Sequence, residues 1–394
     1  MSPRLFGPVN LRTEVGRVVL PNPIMTASGT TGHGAAFAPY MDLARLGAVV
    51  VKSLAPYPWA GNPAPRLTPT PAGMLNSVGL QGPGVRAWIE KELPRLTERG
   101  ARVVASIWGQ RVEEFADAAL QLRGVPGVIA VEVNVSCPNI DDRSRMFAHS
   151  PTATAEAVDA ASASELPRWA KLSPNTPDLL EVAGAALGAG AEALVLVNTL
   201  LGMSIDTSKR AYKLGSGPKG GGLSGPAIRP VAVRAVHDCR AAFPWASIVG
   251  VGGIVKGEDA VEMLMAGADA VQVGTASFRE PKAAAKVLAG LVRWCRIHDV
   301  RDVRLLVSAV HRSGAAPAPA QHVRREWVPS EPLESATPDP ARDVDPDRQT
   351  DPNEARPGPD KTRDHPNETR TPRPSVGLTD RQDELTGRQN EREL

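Results

Sequence analysis

VIAVEVNVS, residues 128 to 136, is an apolar run rich in β-branched side chains that leads straight into Cys137, Pro138 and Asn139. A strand with so few polar positions reads as buried on both faces, which is the habit of parallel sheets covered by helices. Seven further runs share this character: PIMTAS (23–28), AVVVKS (48–53), RVVASIW (102–108), RWAKLS (168–173), EALVLVNT (192–199), ASIVGVGG (246–253) and DAVQVGT (269–275). Between them lie segments with Ala, Leu and Glu at helical spacing, near 85–99, 111–123, 152–165, 177–189, 227–242 and 257–266, with a last one near 281–297. Pro177 and Pro226 are placed to occupy first turns, where the missing N–H costs nothing. Eight β/α units predict a closed (β/α)8 TIM barrel, an α/β fold that leaves no strand edge unpaired. An open doubly wound sheet is the alternative.

Composition bounds the barrel at about residue 312, giving a catalytic unit over 1–312 and a tail over 313–394. The tail carries one aromatic residue, Trp327, and 13 of the 37 prolines, among Asp, Glu, Arg and Thr. Such a segment buries too little apolar surface to offset its ordering entropy, so it is expected to be disordered. It holds 12 basic against 17 acidic side chains, and the remainder 33 against 26. Neither balance includes a clustered basic face, which argues against a nucleic-acid binder. Cys137, Cys239 and Cys295 are widely spaced, without a C-x-x-C pair. A disulfide framework and a cysteine-based metal site are thereby excluded, and no metal is expected. No run approaches the roughly 18 apolar residues of a membrane span. The expectation is a soluble, reduced, cytoplasmic protein with no membrane contact.

The strand ends are polar or glycine: Ser28, Lys52 and Ser53, Ser106, Asn134, Lys171, Asn198 and Thr199, Gly252 and Gly253, Gly274 and Thr275. In a barrel these ends converge on one face, where ligands bind. GVGGI and VGTA follow strands seven and eight, the usual phosphate position in barrels, although glycines there can also serve only to close turns. With no Walker-type loop, the phosphate of a bound mononucleotide is the better reading. Lys52 and Lys171 stand in apolar runs without an acidic neighbour in sequence, which favours an anionic ligand or reduced cofactor over pairing with a rim carboxylate. Asn76, Asn134 and Asn198 offer donors and acceptors suited to a ring of alternating C=O and N–H groups. Cys239 and Cys295, on helices, read as buried hydrophobes. Cys137 falls in a loop without apolar period, where an accessible thiol near lysines can have a lowered pKa and act as base or nucleophile.

Ten collinear blocks, among them NPIMTASGT, GMLNSVGLQGPG, VNVSCPN, KLSPN, VNTLLGM, GGLSGPAIRPVAVR and AVQVGTA, resemble the dihydroorotate dehydrogenase family over roughly residues 9 to 300. The cysteine in SCPN and the wording of NSVGLQ and GGLSGPAIRPVAVR are similar to the soluble class 1, NAD-linked subgroup; the quinone-linked branch uses a serine base. The resemblance implies FMN held by Ser28, Lys52, Ser53, Ser106, Asn134, Lys171, Val197, Gly225, Gly252, Gly253, Gly274 and Thr275. It implies dihydroorotate or orotate held by Lys52, Asn76, Ser77, Val78, Gly79, Leu80, Asn134, Asn198 and Thr199. Cys137 would take the C5 proton while hydride passes from C6 to flavin N5, and Lys171 would stabilise the reduced flavin. An iron–sulfur/FAD electron-transfer subunit linking to NAD, and a homodimer or heterotetramer, are implied likewise. Two departures stand out: Ser106 replaces the family's usual asparagine, and IDDRSRMFAHS (140–150) brings charge where relatives are glycine-rich. Rival readings are dihydropyrimidine dehydrogenase-like reduction of uracil or thymine, a tRNA dihydrouridine synthase, disfavoured by the acidic tail, and a non-catalytic flavin-binding scaffold.

Overall fold

The computed structural model describes residues 8–142 and 145–312; the tail over 313–394, expected to be disordered, lies outside the described residues. Eight parallel strands form one sheet: β1 (Ile24–Thr26), β2 (Val49–Val50), β3 (Val103–Ile107), β4 (Val128–Asn134), β5 (Arg168–Leu172), β6 (Ala193–Leu196), β7 (Ser247–Val251) and β8 (Ala270–Val273). Each pairs with its chain neighbour from β2 to β8, and β8 pairs with β1. A parallel bridge between Met25 and Ala48 closes the ring. There the Thr26 hydroxyl accepts from Val50 N at 2.9 Å, standing in for a ladder carbonyl. The open sheet is thereby excluded, because neither β1 nor β2 is left as an edge.

Side chains alternate across this wall as strand geometry requires. Met25, Val50, Val104, Ala130, Trp169, Val195 and Val249 face inward and pack together. Val103, Val131, Leu172, Leu194 and Ile248 face outward against the helices. These helices are α1 (Val85–Lys91), α2 (Leu93–Thr97), α3 (Val112–Leu120), α4 (Pro151–Ala160), α5 (Leu179–Gly188), α6 (Arg229–Ala242), α7 (Gly257–Ala266), α8 (Ala276–Arg279) and α9 (Ala283–Ile297). The single helix expected over 85–99 is broken at Glu92, ahead of Pro94, and the one expected over 152–165 ends in a 3₁₀ turn, Ala161–Ser164. Pro177 lies ahead of α5, and Pro226 starts a 3₁₀ turn ahead of α6. The first-turn prolines of the α-helices are Pro94, Pro151, after the Ser150 cap, and Pro230.

Two elements escape the β/α pattern. The hairpin Thr13–Val15 with Val18–Leu20 plugs the end of the barrel where strands begin. Its Thr13 hydroxyl donates to Asp269 O at 2.8 Å, and Ser247 Oγ accepts from Gly16 N at 2.9 Å. At the opposite end an antiparallel sheet joins Leu200–Gly202, Gly221–Ser224, Gly73–Asn76 and Leu67–Thr70. It ties the loop after β2 to the loop after β6.

Arg240 on α6 pins the helix to the strand layer. Its guanidinium donates to the carbonyls of Gly267, Pro244 and Ala246 and to Asp269 Oδ2, and Asp269 also accepts from Ile248 N. Burial pushes the Asp269 carboxyl up and Arg240 pulls it back. Arg240→Ala removes the cation and leaves a partly buried carboxylate and three carbonyls without their donor, so a loss of about 3 kcal/mol is expected in denaturant unfolding.

Candidate active site

Seven of the eight strand C-termini, all but that of β3, open into one cavity of about 530 Å³, within the usual range for small-molecule sites. Ser28, Lys52, Ser53, Asn134, Lys171, Val197, Gly225, Gly252, Gly253, Gly274 and Thr275 line it, as do Asn76 to Leu80, Asn198 and Thr199. Residues up to 247 positions apart in sequence thus share one wall, because alternate positions past the apolar layer must point to the barrel mouth. Among its described residues the lining holds three lysines, Lys52, Lys171 and Lys219, and no carboxylate.

A relay of neutral side chains orders the inner wall. Asn198 Nδ2 donates to Asn134 Oδ1 at 3.1 Å, Asn134 Nδ2 donates to Ser53 Oγ at 3.2 Å, and Ser53 Oγ meets Ser106 Oγ at 2.9 Å. Ser106, expected as a cofactor contact, is fully buried behind Ser53 and does not reach the cavity. A serine is too short to project past that neighbour. On the opposite wall Asn76 Nδ2 donates to Gly222 O at 3.1 Å, which fixes this amide by the antiparallel sheet. The Lys52 ammonium makes no hydrogen bond or ion pair with any described residue. Burial, aided by the Arg66 charge, pulls its pKa down to about 8.

Lys171 behaves differently from its sequence expectation. No acid neighbours it along the chain, yet Glu132 on β4 lies 3.7 Å from its Nζ, and Gln272 Oε1 accepts from that Nζ at 3.0 Å. Cross-strand neighbours supply the carboxylate that sequence proximity did not. Glu132, Gln272, Asn175 and Lys219 were missed. An isolated Glu at an inward position of an otherwise apolar strand was a signal available for Glu132.

Cys137 departs further. It is fully buried, absent from the cavity lining, and its Sγ donates to Asn134 O at 3.1 Å. The loop folds back as a short pairing of Pro138–Asn139 with Arg145–Met146, held by Phe147 N to Cys137 O at 3.2 Å and Ala148 N to Val135 O at 2.9 Å. Phe147 in turn packs edge-on against Phe115, which draws the thiol into the apolar layer outside the strands. The expected accessible thiol of lowered pKa is therefore corrected: burial pushes it up to about 12. Its neighbour Ser136 lines the cavity instead, with a buried hydroxyl that has no hydrogen-bond partner among the described residues.

Gly252, Gly253 and Gly274, at the ends of β7 and β8, line the cavity. Gly253 has φ 72°, and a Cβ there would lie 2.6 Å from Arg229 Cβ and 3.0 Å from Gly225 O. Only glycine fits this turn, because a side chain there would collide with Arg229 and Gly225.

Every ligand-competent residue sits at the carboxyl ends of the strands, which marks the molecule as a (β/α)8-barrel enzyme. Comparison with known proteins narrows the class. The profile of the dihydroorotate dehydrogenase family matches residues 10–294. The chain is 48% identical over 307 residues to the "Dihydroorotate dehydrogenase B (NAD(+)), catalytic subunit" of Desulforudis audaxviator, covering 78% of this chain and 99% of the relative. It is 43% identical over 306 residues (77% and 99%) to the protein of the same description from Geotalea uraniireducens, and 44% over 301 residues (76% and 98%) to that from Trichlorobacter lovleyi. The chain belongs to the dihydroorotate dehydrogenase family.

All three cysteines are buried. At pH 8 a thiol reagent is expected to modify none of them rapidly in the native protein and all three in denaturant; one fast native thiol would show that the Cys137 loop opens readily.

Proposed function

We propose that this chain oxidises dihydroorotate to orotate, with FMN as its bound cofactor, as the catalytic subunit of an NAD-linked enzyme of pyrimidine biosynthesis. The observation that carries the reading is Lys52: an ammonium without a partner among the described residues, in a cavity wall without a carboxylate. It is the natural counter-ion for a substrate carboxylate. Uracil and thymine have no such group, so the rival pyrimidine reductase leaves Lys52 unexplained. Asn76, Asn134 and Asn198, with Thr199, meet the alternating carbonyl and N–H groups of the ring.

Bound FMN would supply the hydride acceptor, with Gly225, Gly252, Gly253, Gly274 and Thr275 around its phosphate. Lys171 provides positive charge beside the ring. Cys137 is assigned as the base that takes the C5 proton, supported by its place three residues beyond Asn134 in the cavity wall. For that the backbone around Cys137 has to turn the thiol into the cavity. Such a turn removes the apolar surroundings that raise its pKa and brings it toward the Lys52 charge. The names of the relatives, each a catalytic subunit linked to NAD(+), support a separate partner subunit, which we take to be the iron–sulfur/FAD subunit that the family resemblance implies. Among the described residues no helix is long and apolar enough to cross a membrane, and we place the enzyme in the cytoplasm.

Purified protein is expected to be yellow and to bleach on anaerobic addition of dihydroorotate but not of dihydrouracil. Cys137→Ala keeps the colour and loses about 100-fold or more in the rate of bleaching. Lys52→Met costs roughly 10–100-fold in kcat/KM for dihydroorotate, the worth of one hydrogen bond to a charged group. Bleaching by dihydrouracil alone would overturn the assignment of substrate.

A further inference from the structure

Beneath the mouth, the barrel interior holds a closed polar triad. Glu132 on β4 and Gln272 on β8 are fully buried, and Lys171 on β5 is 3% exposed. Gln272 Nε2 donates to Glu132 Oε2 at 2.7 Å, while Gln272 Oε1 accepts from Lys171 Nζ at 3.0 Å. The amide thus bridges carboxylate and ammonium in one orientation. Glu132 Oε1 has no hydrogen bond and faces Lys171 Nζ at 3.7 Å. Of the three residues only Lys171 reaches the cavity wall.

Stability is a weak reason for such an arrangement, since apolar replacements of a buried ion pair are often neutral or stabilising. The layer below is filled in just that way, by Val104, Ala130, Trp169, Val195 and Val249. What the triad does is hold a charge at one place. Burial drives Lys171 toward its neutral form, and Glu132 opposes that.

We propose that Glu132, bridged by Gln272, is a positioning residue that keeps Lys171 protonated at the cavity floor and so sets how strongly the site favours reduced over oxidised flavin. This rests on the FMN reading above. Two effects of the carboxylate oppose each other. As a counter-charge it weakens the pull of Lys171 on an anionic ring; as a proton holder it preserves that pull. Holding the proton is the larger effect, because an uncompensated buried ammonium tends to neutralise itself.

The test is the midpoint potential of bound FMN, by anaerobic titration against reference dyes, in the FMN-loaded wild type and in Glu132→Gln, Lys171→Met and the double variant. Glu132→Gln is expected to lower the preference for reduced flavin about tenfold, close to 30 mV for a two-electron couple. Lys171→Met should lower it at least as much, and the double variant no further than Lys171→Met alone, because Glu132 acts only through the lysine. A raised or unchanged potential in Glu132→Gln, or additive falls in the double variant, would overturn the proposal. If Glu132→Gln does not retain FMN, Gln272→Met decides: it keeps both charges, loses the bridge, and should shift the potential the same way by a smaller factor. Wild-type protein that binds no FMN refutes the functional reading itself, whereas FMN binding with unshifted potentials refutes only the role of the triad.

Discussion

Closure of the sheet between β1 and β2 is the constraint on which everything else rests. Once Thr26 and the Met25–Ala48 bridge complete the ring, every second residue of every strand must enter one shared interior. Near the strand starts that interior is apolar and plugged by the Thr13–Leu20 hairpin. Toward the strand ends the same inward positions become Ser106, Glu132, Asn134, Lys171 and Gln272, all buried. A site is therefore built into the wall of the barrel rather than added to its loops. The antiparallel sheet around Asn76 and Gly222 supplies the outer rim.

The two inner lysines show how environment separates identical side chains. Lys52 has no carboxylate beside it, and burial with Arg66 brings its pKa down to about 8. Such a group gains from an anionic ligand twice, through the ion pair and through the protonation the ligand stabilises. Lys171 carries its counter-charge within the fold, on Glu132, and is held in direction by Gln272. One is suited to an anion that comes and goes, the other to a charge that develops on a group already in place.

The Cys137 segment joins structure to motion. Its backbone leaves the wall at Asn134, yet Phe147 and Phe115 draw the loop outward into the helix layer. Ile140 N donates to Gln110 O, and Arg111 pairs with Asp141, which anchors this loop to the one after β3. The arrangement stores the thiol in a neutral, protected form.

Sequence alone determined the eight strands, their helices and the strand-end residues of the mouth, because apolar period and glycine or proline punctuation are local properties of the chain. It also carried the lining set almost whole, since barrel geometry maps strand ends to one face. It did not place the antiparallel sheet, whose strands are short and glycine-rich, or the break at Glu92 ahead of Pro94. The burial of Ser106 behind Ser53, Glu132 as the partner of Lys171, and the outward burial of Cys137 were decided by tertiary structure only. Each depends on which atoms from distant strands and loops come within a few ångströms, and neither periodicity nor charge counted along the chain contains that distance.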